Sequence, residues 1–266
     1  MTRNRAWTKT TTNLVRLVNL KQLPGLLLMV GCIVLSSRWL PAQAGASEIS
    51  PQLREQVLQI IRENPEVILE AVQSYQRQQR EQEQKARRSA LQQLKANPQA
   101  WLGSSPVKGA KTGKIVLIEF SDFQCPFCAR ANSTLKQFME KHGNTVTLVY
   151  KHLPLTSIHP EALPAAKASW AAGQQGKFWE FHDALFVNQK QLGDSLYTQI
   201  AQSLKLDLQK FDRDRTSPSA AAAIQQDLEL ADALGIEGTP FFVMNGETLS
   251  GAVSLAELEA TMTKVK

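Results

Sequence analysis

The chain of 266 residues is longer than a typical single domain and short for two large ones, so one catalytic-size domain plus an appendage is the natural division. Its 43% hydrophobic and 20% charged residues exclude a wholly disordered or collagen-like chain. The net charge of +6 would suit a nucleic-acid or membrane-surface binder. However, six of the 30 bases lie within residues 1–44, where there is no acid, leaving 24 bases against 24 acids in the remainder, so no nucleic-acid partner is expected.

The first segment carries those bases, Arg3, Arg5, Lys9, Arg16, Lys21 and Arg38, around the apolar run Leu23 to Leu35. A run of 13 residues is too short to span a bilayer comfortably as a helix. Pro41-Ala-Gln-Ala44 places small residues where a signal peptidase reads them. Residues 1–44 are therefore predicted to be an export signal cleaved near Ala44, with an uncleaved membrane anchor over 23–42 as the alternative. Cys32 leaves with the signal, so Cys125 and Cys128 are the only cysteines of the mature chain. That C-x-x-C spacing makes a poor structural staple and points to thiol chemistry or to metal.

Residues 45–104 form the next segment. Leu53, Val57, Ile60, Ile61, Val67, Ile68, Ala71, Val72 and Tyr75 recur at helical spacing. Asn64-Pro65-Glu66 looks like a helix restart, since Asn can cap and Pro is tolerated at the first helical position. Two helices are predicted, 51–63 and 65–96, the second polar all round over 76–88 and unable to bury much there. They read either as a solvated linker or as an oligomerisation arm whose apolar stripe pairs with copies of itself, giving a homo-oligomer, trimer or dimer.

From 105 onward the pattern changes. Lys114 to Phe120 is a continuous apolar run that fits a strand buried on both faces. A helix over Pro126 to His142 and a strand over Thr145 to Lys151 follow. Residues 155–235 carry only helical signal, read as helices over 161–173, Phe178 to Asn188, Ser195 to Leu204 and Pro218 to Leu234. A hairpin, Phe241 to Asn245 and Thr248 to Ala252, turns at Asn245-Gly246. The closing helix, Leu255 to Lys264, starts with a capping box of Ser254 and Glu257. The order implies an α/β fold with a mixed sheet covered by helices on both faces.

Cys125-Pro-Phe-Cys128 falls where the buried strand gives way to a helix. The unpaired amides of a helix start stabilise a thiolate, the reactive form, so Cys125, first in the turn, is predicted to be the more exposed, attacking sulfur. Cys128, one turn further in, is placed to resolve a mixed disulfide. Pro126 fits the first helical turn. Half of a zinc site is the rival reading, but only His142, His152, His159 and His182 could complete it, and none stands at ligand-like spacing to the cysteines.

Glu119-Phe-Ser-Asp-Phe-Gln-Cys-Pro-Phe-Cys-Ala-Arg130 resembles the active-site segment of the DsbA-like branch of the thioredoxin superfamily. Gly238-Thr-Pro-Phe-Phe242 resembles that family's cis-proline loop, Tyr150-Lys-His-Leu-Pro-Leu155 its second-strand exit, and Gln175 to His182 part of its inserted helical domain. The resemblance covers about 105–266 and implies a thioredoxin-like fold with an inserted helical domain at about 155–225, behind the N-terminal helical arm. Bacterial members act in oxidising extracytoplasmic compartments such as the periplasm, in keeping with the export reading. The resemblance further implies that Pro240 is the cis-proline and that Thr239 offers its backbone to a bound peptide beside the sulfurs. Pro126 and Phe127 would border that peptide. Glu119, six residues before Cys125, matches the family's buried acid, for which burial implies a raised pKa and proton exchange with Cys128. The family's best-known oxidases carry Pro-His inside C-x-x-C. Phe127 supplies neither a hydrogen bond nor a charge from its ring, so a less forceful oxidant is expected. His152 and His159 flank the second-strand exit as minor catalytic candidates.

The reading is an exported thiol-disulfide oxidoreductase, oxidase or isomerase, needing no metal or nucleotide cofactor. Its partners would be unfolded or misfolded exported proteins and a membrane redox protein. Two rivals are a peptide-binding chaperone with idle cysteines and a metal-handling thiol protein.

Overall fold

The computed structural model describes residues 50–111 and 113–265. The expected export segment lies outside them. The chain divides into two compact units, Met1–Leu58 and Gln59–Lys266.

Helix α1 (Pro51–Glu63) begins in the first unit, where the Ser50 hydroxyl accepts a hydrogen bond from the Leu53 amide at 3.2 Å. Helix α2 (Pro65–Ala96) follows in the second. Pro65 opens it as expected, but Asn64 does not cap it, because its side-chain amide donates back to the Ile60 carbonyl at 2.9 Å. Leu53, Val57, Ile60, Val67, Ile68, Val72 and Tyr75 are all exposed, and Ile61 is half-buried. The end of the arm behaves differently. Leu94 is fully buried, with Ala90 and Leu91 packed beside it, so the last turns of α2 belong to the core of the sheet-containing domain.

That domain is built on a five-stranded sheet ordered β1-β3-β2-β4-β5, from β1 (Val107–Gly109), β2 (Ile115–Ser121), β3 (Val146–His152), β4 (Phe241–Met244) and β5 (Glu247–Ser250). β2 and β3 run parallel, joined by helix α3 (Pro126–His142), and the other pairings are antiparallel. Alternation along the strands divides the sheet's side chains between two cores. On one face Ile115, Leu117, Leu148 and Phe242 meet Ala131, Leu135 and Phe138 of α3 and Leu258 of α9 (Leu255–Val265). On the other, Val116, Ile118, Phe120 and Val243 meet Ala231 of α8 (Pro218–Ala233), Leu234 and Leu94. The Asn245-Gly246 turn takes positive φ at both residues, and a Cβ on Gly246 would stand 2.9 Å from the Cβ of Lys95. The hairpin and the end of α2 are thus in direct contact.

Between β3 and β4 the chain forms α4 (Ala162–Gly173), α5 (Phe178–Val187), α6 (Asp194–Ser203), α7 (Leu208–Arg215) and then α8. Phe178, Phe181 and Phe186 are buried there, with Trp170 and Trp179 packed against them. Two elements depart from expectation. Residues 107–109, to which the sequence assigned no element, form edge strand β1 because their backbone pairs with β3, and α7 adds a helix anchored by buried Phe211 with partly buried Leu208 beside it. The Ser254–Glu257 box is present, with the Ser254 amide donating to Glu257 at 2.7 Å.

Candidate active site

The end of β2 and the start of α3 set the two sulfurs. Cys125 is the N-cap, in extended conformation, and Pro126 takes the first helical position. Proline has no amide to leave unpaired there and its ring presets the helical φ. The amides of Cys128 and Ala129 both turn back to the Cys125 carbonyl, at 3.1 and 3.2 Å. Cys128 is 0% exposed and Cys125 3%, so Cys125 is the more open of the two by a small margin, and most of the turn's exposure falls on Pro126 and Phe127. Arg130 lies over the Phe127 ring, 4.6 Å from its centroid.

Both cysteines are free thiols. The Cys128 side chain, as hydrogen-bond donor, pulls the Cys125 pKa well below the ordinary thiol range against the opposing effect of burial, aided by Thr239 and by the backbone of Cys128 and Phe127. Phe127 therefore does contribute to the thiolate, through its amide rather than its ring. Burial drives Cys128 the other way, and the same hydrogen bond raises it further. The Cys128 sulfur also accepts from the Asp122 amide at 3.5 Å.

The Thr239–Pro240 peptide bond is cis, and the Thr239 carbonyl accepts from the Cys125 thiol at 3.5 Å. The loop from 238 to 240 thus lies directly against the reactive sulfur. Glu119 pairs in register with Tyr150 on β3 and Phe242 on β4 and is 1% exposed. Burial raises its carboxyl to about 7, against a lowering contribution from Ser121. The Ser121 hydroxyl lowers the pKa of Glu119, Cys128 and Tyr150, so it stands among all three, yet it completes no hydrogen bond of full geometry.

Several residues not singled out from the sequence hold this turn. The buried Asp122 carboxylate accepts from the Gln124 amide at 2.7 Å, the Leu155 amide at 3.0 Å and His159 Nδ1 at 2.8 Å. It ties the cysteine loop to the second-strand exit through Leu155 and His159. Gln189, from the helical insertion, donates to the carbonyls of Phe123 and Cys125 at 2.8 and 2.9 Å. Asp122 lay inside the recognised segment. Gln189 had no local signal. His152 is 3% exposed and packs tilted against Phe123 and edge-on against Tyr150 and Phe178, with both ring nitrogens unpartnered. Burial, then His182 and Lys151, depress its pKa to about 3. Among the described residues no group of three or more metal-ligating side chains gathers, and no helix is long and apolar enough to cross a membrane.

Residues 116–263 match the DSBA-like thioredoxin domain. A thioredoxin-like oxidoreductase from Silicibacter pomeroyi superposes with a TM-score of 0.57 at 32% identity, covering 61% of this chain and 92% of that one. Proteus mirabilis ScsC in a transitional conformation gives 0.58 at 25% identity over 80% of this chain and 95% of that one. The Na(+)/H(+) antiporter NhaA 1 of Salinispora arenicola is 36% identical over 157 residues, 59% of this chain and 24% of that protein. The chain thus spans about a quarter of the length of such curated relatives. With the domain match covering more than half of the chain, on a thioredoxin-like sheet with a helical insertion, the chain belongs to the DsbA-like thioredoxin-domain family.

Proposed function

We propose that this chain is an exported thiol-disulfide oxidoreductase that forms or rearranges disulfide bonds in extracytoplasmic proteins through Cys125 and Cys128. The observation that carries the reading is the opposed acidity of the two thiols across one helical turn, with the Thr239 carbonyl against the more acidic sulfur. An attacking sulfur must be a thiolate and a good leaving group, and a resolving sulfur must stay protonated until called on.

In the oxidising direction a client thiolate attacks Cys125 of the Cys125–Cys128 disulfide, and Cys128 leaves as a thiolate that takes up a proton. A second client thiolate then attacks the mixed disulfide, releasing the client's new disulfide and the Cys125 thiolate. In the rearranging direction the Cys125 thiolate attacks a wrong client disulfide, and Cys128 provides escape. The exposed Pro126 and Phe127 and the backbone of Thr239 supply the surface for an extended client strand. Clients would be unfolded or misfolded exported proteins, and a membrane redox protein would reset the dithiol. Export follows from the composition of residues 1–44 and from a mature chain whose only cysteines are this pair. The exposed stripe of α1 and α2 supports a homo-oligomer, more consistent with a trimer than with a dimer, bringing several Cys125 sites to one client.

The test is turnover of a dithiol peptide by the disulfide form. Formation of the peptide disulfide with matching loss of the enzyme disulfide, abolished in Cys125→Ser, supports the reading. Unchanged peptide thiols overturn it.

A further inference from the structure

Between the sheet, α3 and α5 lies a small cavity lined by Glu119, Asn132, Lys136, Trp179, His182 and Asp183, with about 20 Å³ of room for water. That is space for about one molecule. Two buried acceptors at this cavity have no protein partner, Oε1 of Glu119 and Nε2 of His182. A buried polar atom left unpaired costs about 1 to 3 kcal/mol, so both call for a donor.

The tautomer of His182 follows from its neighbour. Burial works against it, but the hydrogen bonds from His182 and Lys136 and the Lys136 charge hold the Asp183 carboxyl below the usual carboxylate range, so at neutral pH its oxygens can only accept. The 3.0 Å contact between Asp183 Oδ1 and His182 Nδ1 therefore places the ring proton on Nδ1 and leaves a lone pair on Nε2. Burial, only partly offset by Asp183, depresses the His182 pKa and keeps the ring neutral. Outward of this pair, Asp183 meets Lys136 at 3.1 Å with both side chains partly in solvent. The charged groups around the space are Glu119 of β2, Lys108 of β1, Lys136 of α3 and Asp183 of α5, with the Tyr150 phenol of β3 close by.

We propose that His182 is a positioning residue of the resolving step, carrying protons between Glu119 and solvent through a single water in this cavity while Asp183 fixes its tautomer. The proposal rests on the thiol-exchange reading. When Cys128 resolves a mixed disulfide, its S–H proton passes to the Glu119 carboxylate and the sulfur's electron pair forms the bond to Cys125. The Cys125–client S–S bond breaks, and the client leaves as a thiolate with that pair. The enzyme dithiol is oxidised by two electrons and the client disulfide is reduced. Glu119 then returns its proton through the water to Nε2 of His182, and the imidazolium, paired with Asp183, gives one to solvent. In the oxidising direction the proton travels inward to the Cys128 thiolate.

The experiment follows peptide release from a mixed disulfide between Cys125 and a synthetic cysteine peptide, by rapid mixing across neutral pH. His182→Gln is expected to slow release about tenfold at neutral pH and to shift its pH profile, while the rate at which Cys125 forms the mixed disulfide is retained. Asp183→Asn, at a partly exposed position, is the second variant. It can donate to Nδ1, move the ring proton to Nε2, and so slow release in the same direction. Release from both variants at the parent's rate, or slowed release with the parent's pH profile, overturns the relay. If His182→Gln does not fold, Asp183→Asn decides by the same criteria. A parent that never releases the peptide would instead overturn the oxidoreductase reading.

Discussion

Cys125 and Cys128 occupy one turn of one helix, yet what surrounds each sulfur gives the two opposite chemistry. Cys128→Ala is expected to accumulate mixed disulfides with clients, visible as reducible adducts by mass spectrometry, whereas Cys125→Ala should form none. Trapping through Cys128 instead would reverse the assignment. Glu119 carries a second expectation. Its carboxyl is raised from 4.5 to about 7 by burial, so between those values the folded protein holds a proton that the unfolded chain releases. Stability is then fully present below the unfolded value and falls as pH rises through the folded one, by about 3 kcal/mol in all. Glu119→Gln is neutral throughout and should flatten that part of the profile in denaturant titrations, as well as slow proton exchange at Cys128. A parent and variant with parallel profiles would mean that Glu119 reaches water. The sulfurs were legible because they sit where a buried strand gives way to a helix start, features that adjacent residues encode, whereas Glu119 was legible only through the resemblance of its segment to the family's. Gln189 was not, since it reaches the Cys125 carbonyl from 64 residues away, and only the folded insertion brings it there.

Among the elements, periodicity located the long helices and the two parallel strands, whose apolar runs and caps are local. It missed β1, since Val107-Lys-Gly109 is a strand only because β3 offers it partners, and α7, which buries a single phenylalanine. It also placed the end of α2 in a solvated arm, because Ala90, Leu91 and Leu94 make an apolar patch of barely more than one turn after a long polar stretch, too short to mark a docking face. Leu94→Ala should cost about 2 to 5 kcal/mol of unfolding free energy, the range for a buried leucine, whereas Val67→Ala in the exposed part of the same helix should change the dissociated chain by about 0.5 kcal/mol or less. Equal effects at the two positions would mean that the last turns of α2 are not part of the core.

For the whole molecule, the arm and the catalytic domain meet within one continuous helix, so the place of a truncation decides what it tests. Removing residues through 80 takes away the whole stripe from Leu53 to Tyr75 and keeps Leu94 in the core. The product is expected to be a monomer by light scattering, weaker as a disulfide isomerase and intact in simple dithiol oxidation. Removing residues through 96 would open the core beneath β2 and confound the result. A full mature chain that is already monomeric at working concentration would sink the oligomer proposal. The ends of the sheet bear on a different hazard. β1 and β5, which flank it, have three and four residues, too little backbone to recruit a long partner strand. Under the proposed function the clients would be incompletely folded, sticky extended chains. Rims this short would let the protein take them at the Thr239 loop without seeding their aggregation along its own sheet.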